Sequence, residues 1–178
     1  MKRILFSFAI LLFAVTAWSQ GGPTTKSFSW KGLSLSYPDN YTITDKEYDR
    51  AEKTYTFICT TPEEEDALSM VTIGFSKNLA KDLSNSLARK VFFNEIIPAL
   101  VSELESSFKS LKTSDVKEFP IPYPNVSADY TAIVEGVDVQ GKMVVFIHKE
   151  YIVTCILSAD SPQHVQELEE IIKTITMK

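Results

Sequence analysis

Two histidines, two cysteines and two clusters of carboxylates are the residues of this chain whose types could do chemistry. His148 closes an apolar run beside Lys149-Glu150, and His164 falls in the first turn of a helical pattern. Neither has the H-x-x-x-H or H-E-x-x-H spacing that sets two ligands, or two ligands and a base, on one helix face. Each is therefore read as structural or solvated. Cys59 and Cys155 sit inside apolar, strand-like runs, without the C-x-x-C spacing of a redox site or a metal knuckle. Two readings stay open for them. In an oxidising compartment they form one disulfide if their strands lie side by side; otherwise they are buried thiols acting as small apolar residues.

Calcium takes about six to eight oxygen ligands, so the acidic groups Asp45, Glu47, Asp49 and Glu63 to Asp66 are the places to look for it. The first three would project to one side of an extended strand. Neither group has the glycine and terminal glutamate of an EF-hand loop, and ordinary solvated charge is the favoured reading. No G-x-S-x-G elbow, P-loop or G-x-G-x-x-G is present, which removes the usual local signatures of acyl transfer and nucleotide binding. An acid and a base drawn from Asp45, Glu47, Asp49, Glu63 to Asp66 and His148 remain conceivable, on condition that they converge on one cleft. No catalytic, cofactor-binding or metal-ligating residue is assigned. Asn40-Tyr41-Thr42 and Asn125-Val126-Ser127 match glycosylation acceptors, but they carry little weight behind a leader of bacterial character.

The elements that must position these residues are organised around Asp129 to Leu157, DYTAIVEGVDVQGKMVVFIHKEYIVTCIL. β-Branched and aromatic residues come there in runs closed by turn chemistry at Gly136 to Gly141 and at Lys149-Glu150, which reads as three antiparallel strands. The first run sets Tyr130, Ala132 and Val134 against Asp129, Thr131, Ile133 and Glu135, so one face is partly polar. Met143 to Ile147 and Tyr151 to Leu157 are apolar at nearly every position, as central strands covered on both faces are. Earlier strands are expected at Ser27 to Trp30, Leu33 to Tyr37, from Tyr41, at Thr54 to Thr60 and at Leu68 to Phe75. From Asp82 or Ser84 the period becomes helical, with Leu87, Val91, Ile97, Leu100, Val101, Leu104, Phe108 and Leu111 on one stripe and Pro98 kinking or splitting it. Phe119 to Pro124 has a proline at every second place. It reads as a stiff connection leading into the Val126 strand in preference to a polyproline ligand. Ser161-Pro162 caps a last helix marked by Val165, Leu168, Ile171, Ile172 and Ile175.

Lys2 and Arg3 precede the apolar run Ile4 to Val15 and the sequence Ala17-Trp18-Ser19-Gln20, the layout of a cleavable secretory signal peptide with its cut after Ser19. The organisation expected is a signal peptide at 1–19, a flexible linker at 20–26 and a single α+β domain at 27–178, periplasmic or secreted, with no membrane span left after cleavage. Gln20, once first, is expected to cyclise to pyroglutamate. The net charge of −5 becomes −7 when Lys2 and Arg3 leave, with 16 cations against 23 carboxylates. That sign disfavours nucleic acid and anionic membranes as partners, because both need clustered cations.

The short strand pair, the run Leu35-Ser36-Tyr37-Pro38-Asp39-Asn40-Tyr41, the long helix, three consecutive strands around Gly136 and Gly141 and the final helix together resemble the PsbP-like superfamily. Its most specific feature is the aromatic-Pro-x-x-aromatic turn. The superfamily includes an extrinsic photosystem protein, a nuclear Ran-binding protein and many small exported bacterial proteins. The resemblance implies an antiparallel β-sheet covered by helices, an α/β/α sandwich, and an accessory or binding role without catalysis. It transfers no functional residue, and a photosystem role has no support in these residues. The expected function is that of an exported non-enzymatic accessory protein with an unknown protein or small ligand as partner and no cofactor. The alternatives are a structural subunit of a cell-envelope assembly and an envelope enzyme with a loop-assembled site.

Overall fold

The computed structural model describes residues 24–30, 32–49, 54–60, 69–77, 83–149 and 151–178. The leader, the first part of the expected linker and the Glu63 to Asp66 loop lie outside the described residues. In chain order the elements are β1 (Thr25–Trp30), β2 (Leu33–Pro38), β3 (Thr42–Asp49), β4 (Thr54–Thr60), β5 (Ser69–Lys77), α1 (Ser86–Leu104), β6 (Lys109–Thr113), β7 (Asn125–Val134), β8 (Val137–His148), β9 (Tyr151–Ala159), α2 (Pro162–Lys173) and β10 (Thr176–Met177). Most strands that follow one another pair directly, and the result is an α+β fold. Seven strands make one antiparallel sheet in the order β3-β4-β5-β9-β8-β7-β6, and β1-β2-β10 make a small second sheet.

The hairpin between β7 and β8 is tighter than the sequence suggested. Val134 pairs with Val137, and the two residues between them, Glu135 and Gly136, both have positive φ, 52° and 92°. That is the twist-matched two-residue turn of a β-hairpin. β8 therefore starts at Val137, and Gly141 lies inside a strand instead of a turn. Its missing side chain is what the packing needs. A Cβ there would sit 1.9 Å from the Leu157 carbonyl oxygen and 2.6 Å from the Tyr130 ring.

α1 is one continuous helix through Pro98, capped by the Asn85 side chain, which accepts from the Leu87 N–H at 2.8 Å. Pro98 and Asn94, whose carbonyl loses its donor, are both exposed, so water can take the donor's place. The helix stops at Leu104, short of the expected stripe. Ser106 donates its hydroxyl to the Glu103 carbonyl, the local competition by which serine ends helices. Phe108 and Leu111 still reach the same core, but from the approach to β6 and from β6 itself. Leu87 and Val91, expected to be buried, are 68% and 49% exposed.

Each face of the large sheet has its own core. On one face Val71, Ile73, Val144, Phe146, Val153, Cys155 and Leu157 pack against Leu168, Ile171 and Ile172 of α2 and against Leu33 and Leu35 of the small sheet. On the other face Ala128, Tyr130, Met143, Val145 and Ile152 lie with α1, through Ile97 and the half-buried Phe92, Phe93 and Leu100. β8 is buried from Met143 to Ile147, as its apolar run implied, and the burial extends back through Lys142 to Gly141. The covering of the α2 side is thus shared between a helix and three short strands. No helix among the described residues is long and apolar enough to cross a membrane.

Candidate functional site

The register of β7 and β8 sets Asp129 opposite Lys142, Thr131 opposite Gln140 and Ile133 opposite Asp138, all on the α2 side of the sheet. Lys142 is buried there. Its ammonium pairs with Asp129 at 3.0 Å and with Glu169 of α2 at 2.5 Å, and stands 5.5 Å from the centre of the Phe119 ring. Burial alone would lower its pKa, but the bonds to Glu169 and Asp129 outweigh this and hold it above the usual lysine value. Asp129 also accepts from Lys117 at 2.5 Å. Burial pushes its carboxyl up, and the hydrogen bonds from Lys117 and Lys142 overcome that and keep it below the ordinary carboxylate range. This seam ties α2 to the sheet.

Beyond the seam the α2 helix ends and the sheet face is open. Two shallow concavities of about 380 and 390 Å³ lie side by side there, within the size range of small-molecule sites. Both are lined by Lys112, Thr131 and Gln140. The first is closed on one side by Pro162 and Val165 at the start of α2 and reaches Asp129; the second reaches Ile133, Asp138 and Asp160. Lys112 is placed by β6, the edge strand. β6 is bulged between Lys109 and Lys112, with Ser110 at φ 55°, and the bulge returns Lys112 to register with Thr131.

Of the groups singled out in the sequence, His148, His164 and Cys155 are not among the residues that line this place. His148 lies at the far end of β8 on the same face, its ring edge-on to Tyr123 at 5.1 Å, with Nε2 buried and without a hydrogen-bond partner among the described residues. Burial, and then the charge of Lys149, keep its pKa below the usual histidine value. His164 sits 3.0 Å from Asp160 through Nδ1. Asp45, Glu47 and Asp49 fall on β3, four strands away from β8 in the sheet order. Among the described residues, the acid and base candidates are scattered. Cys155 is a free, buried thiol whose pKa burial pushes up. Its strand pairs with β5 and β8, whereas Cys59 lies on β4, beyond β5. The side-by-side placement that a bridge requires is absent: two strand spacings come to about 9.6 Å, beyond the ~7 Å Cα limit of a disulfide.

No family model matches the chain, and no curated protein matches it by sequence. Solved structures do. The solution structure of cyanobacterial PsbP (CyanoP) from Synechocystis sp. PCC 6803 superposes with a TM-score of 0.54 at 12% identity, over 90% of this chain and 96% of that one. The fold is PsbP-like. LpqN of Mycobacterium tuberculosis, a protein involved in cell envelope biogenesis, gives a TM-score of 0.50 at 13% identity over 87% of this chain and 91% of its own. A Bacteroides thetaiotaomicron structure gives 0.51 at 15% identity over 86% of this chain; the present chain spans 48% of its length.

Within the PsbP-like fold, the Tyr37 to Tyr41 turn has a structural task. The Tyr41 N–H donates to the Pro38 carbonyl at 3.1 Å, and the Tyr41 ring is fully buried with its hydroxyl 3.1 Å from Glu167 of α2. The proline-rich run is likewise pinned. Asn125 accepts from the Phe119 N–H at 2.7 Å and donates to the Phe119 and Tyr123 carbonyls, and Tyr123 stacks on Phe146 at 5.1 Å. Both amide atoms of Asn125 are thereby engaged inside the folded protein. The residues that sequence reading passed over are Lys112 and Gln140. The signal for their row was the polar face of β7, Asp129-x-Thr131-x-Ile133, which marks a sheet face left uncovered at its end.

Proposed function

We propose that this chain is an exported, non-enzymatic accessory protein of the cell envelope that binds a small ligand in the groove over β6, β7 and β8. The observation that carries the reading is the groove itself, an open polar row beside an apolar helix start, whose lining does not include His148. Export is supported by the leader pattern ahead of the domain, and the envelope by the likeness of fold to LpqN. A role as a structural subunit of an envelope assembly is the second reading. It is favoured by Leu87 and Val91, two apolar residues one turn apart and exposed on α1.

The test is affinity capture of the tagged protein from its native envelope after mild crosslinking. A stoichiometric, non-covalent oligomer or one dominant structural protein on the α1 face favours the second reading. Co-purification of a small molecule whose loss accompanies substitutions in the groove supports the first. Turnover in hydrolase or isomerase panels that a single polar substitution abolishes counts against both.

A further inference from the structure

The ligand class of the groove can be read from its chemistry, and this step rests on the ligand-binding reading above. Lys112, Thr131 and Gln140 are consecutive members of one cross-strand row. Adjacent strands lie about 4.8 Å apart, so an ammonium, a hydroxyl and an amide follow one another on a single face at a pitch that one small oxyanion spans in part. All three side chains can donate hydrogen bonds, and only the first is charged. The nearby carboxylates are already engaged: Asp129 by Lys117 and Lys142, Glu169 by Lys142, and Asp160 by His164. Lys112 has no ion-pair partner among the described residues, and Asp138, which pairs with Ile133 one pleat along, lines only the second concavity. The first concavity therefore presents on its floor a cation unpaired among the described residues, neutral donors and the already paired Asp129, and its wall is the apolar pair Pro162 and Val165.

We infer that this row binds the carboxylate of a small organic acid whose apolar part rests against Pro162 and Val165. An exposed ion pair is weak alone, so Thr131 and Gln140 must share the anion and the helix start must shield the body of the ligand. The groove is open, and affinity in the ~0.1–1 mM range follows for a ligand of this size.

The experiment is a titration of the purified, 15N-labelled protein with hippurate, followed by amide chemical shifts, with the neutral hippuramide as control. Hippurate carries a carboxylate, an amide and an aryl body. The result expected is saturable movement of the Lys112, Thr131 and Gln140 resonances with hippurate and none with hippuramide. Lys112→Met should weaken binding about fivefold and flatten its salt dependence, and Thr131→Val, which keeps the shape and removes the hydroxyl, should weaken it about threefold. Equal saturation by hippuramide overturns the carboxylate while leaving the groove a ligand site. No movement in the row up to ~10 mM hippurate overturns the row as a site, and the accessory reading is then judged by envelope capture alone.

Discussion

Lys142→Met is the substitution that tests whether the ion-paired seam anchors α2. Removing one partner of a buried pair costs about 3–5 kcal/mol, because the other charge is left without compensation. The full figure does not apply here. The Lys142 side chain is 9% exposed, but Asp129 is 43% exposed and keeps Lys117, while Glu169 is 20% exposed. Solvent and the second lysine absorb roughly half of the cost, leaving about 2 kcal/mol. For a domain of this size that lowers Tm by about 4–8 °C. The signs agree across pH. Lys142 is raised, so its contribution is present below the unfolded lysine value and is lost as pH rises through the higher folded one. Asp129 is lowered, so its contribution is present above the unfolded carboxylate value and is lost as pH falls through the folded one. At pH 7 both are intact, and urea unfolding there should show a lower midpoint with an unchanged slope. The double variant K142M/E169L removes the orphaned carboxylate as well and should recover most of the loss. A single variant within about 0.5 kcal/mol of the parent, or a double variant no better than the single, refutes the anchoring argument.

Three further outcomes are expected. Gly141→Ala forces a methyl against the Leu157 carbonyl and the Tyr130 ring, and should lower stability by about 3 kcal/mol in the same urea assay; a neutral result means the β8 register around Gly141 is wrong. Thiol titration of the denatured protein should count two free thiols per chain, and Cys155 should react in the native state only as fast as the protein opens, since it is buried and its pKa is raised; a Cys59–Cys155 bridge on peptide mapping contradicts the strand order. His148 has a depressed folded pKa, so stability should fall as pH drops below the unfolded histidine value of about 6.5, and His148→Gln should flatten the Tm profile between pH 7 and 5; an unchanged slope locates the acid sensitivity elsewhere.

Where packing follows local pattern, the sequence was enough. The unbroken apolar runs of β8 and β9 announced central strands, Ser161-Pro162 announced the start of α2, and the 3.6-residue spacing of Leu168, Ile171 and Ile172 named the residues that bury against the sheet, while Ile175, expected in the helix, is buried beyond its end at Lys173. Errors fell where one hydrophobic periodicity serves two elements. Phe108 and Leu111 continue the phase of α1 and fill the same core, yet they belong to the strand side of a turn made by Ser106 and Ser107. Leu87 and Val91 share that phase and face solvent, because α1 is apolar around much of its circumference and periodicity cannot say which side meets the sheet. β10 is two residues long and is held by pairing with β2, a contact between chain ends that leaves no local trace.

The candidate site escaped sequence reading for a related reason: it is a product of lengths. β8 has 12 residues and extends for about 40 Å, whereas α2, also 12 residues, covers only about 18 Å. A helix so short can shield the middle of the face, where Lys142 needs Glu169, but it must leave one end of β7 and β8 bare. The polar alternation of β7 fits that end, since Asp129 still touches the covered seam and Thr131 lies one pleat beyond it. Lys112 joins only because β6, reached across the other face through α1, closes the sheet at that edge and its bulge restores the register. No residue type in the row is unusual for a surface strand. What makes it a candidate site is that three ordinary donors are aligned beside a helix start that cannot reach far enough to cover them.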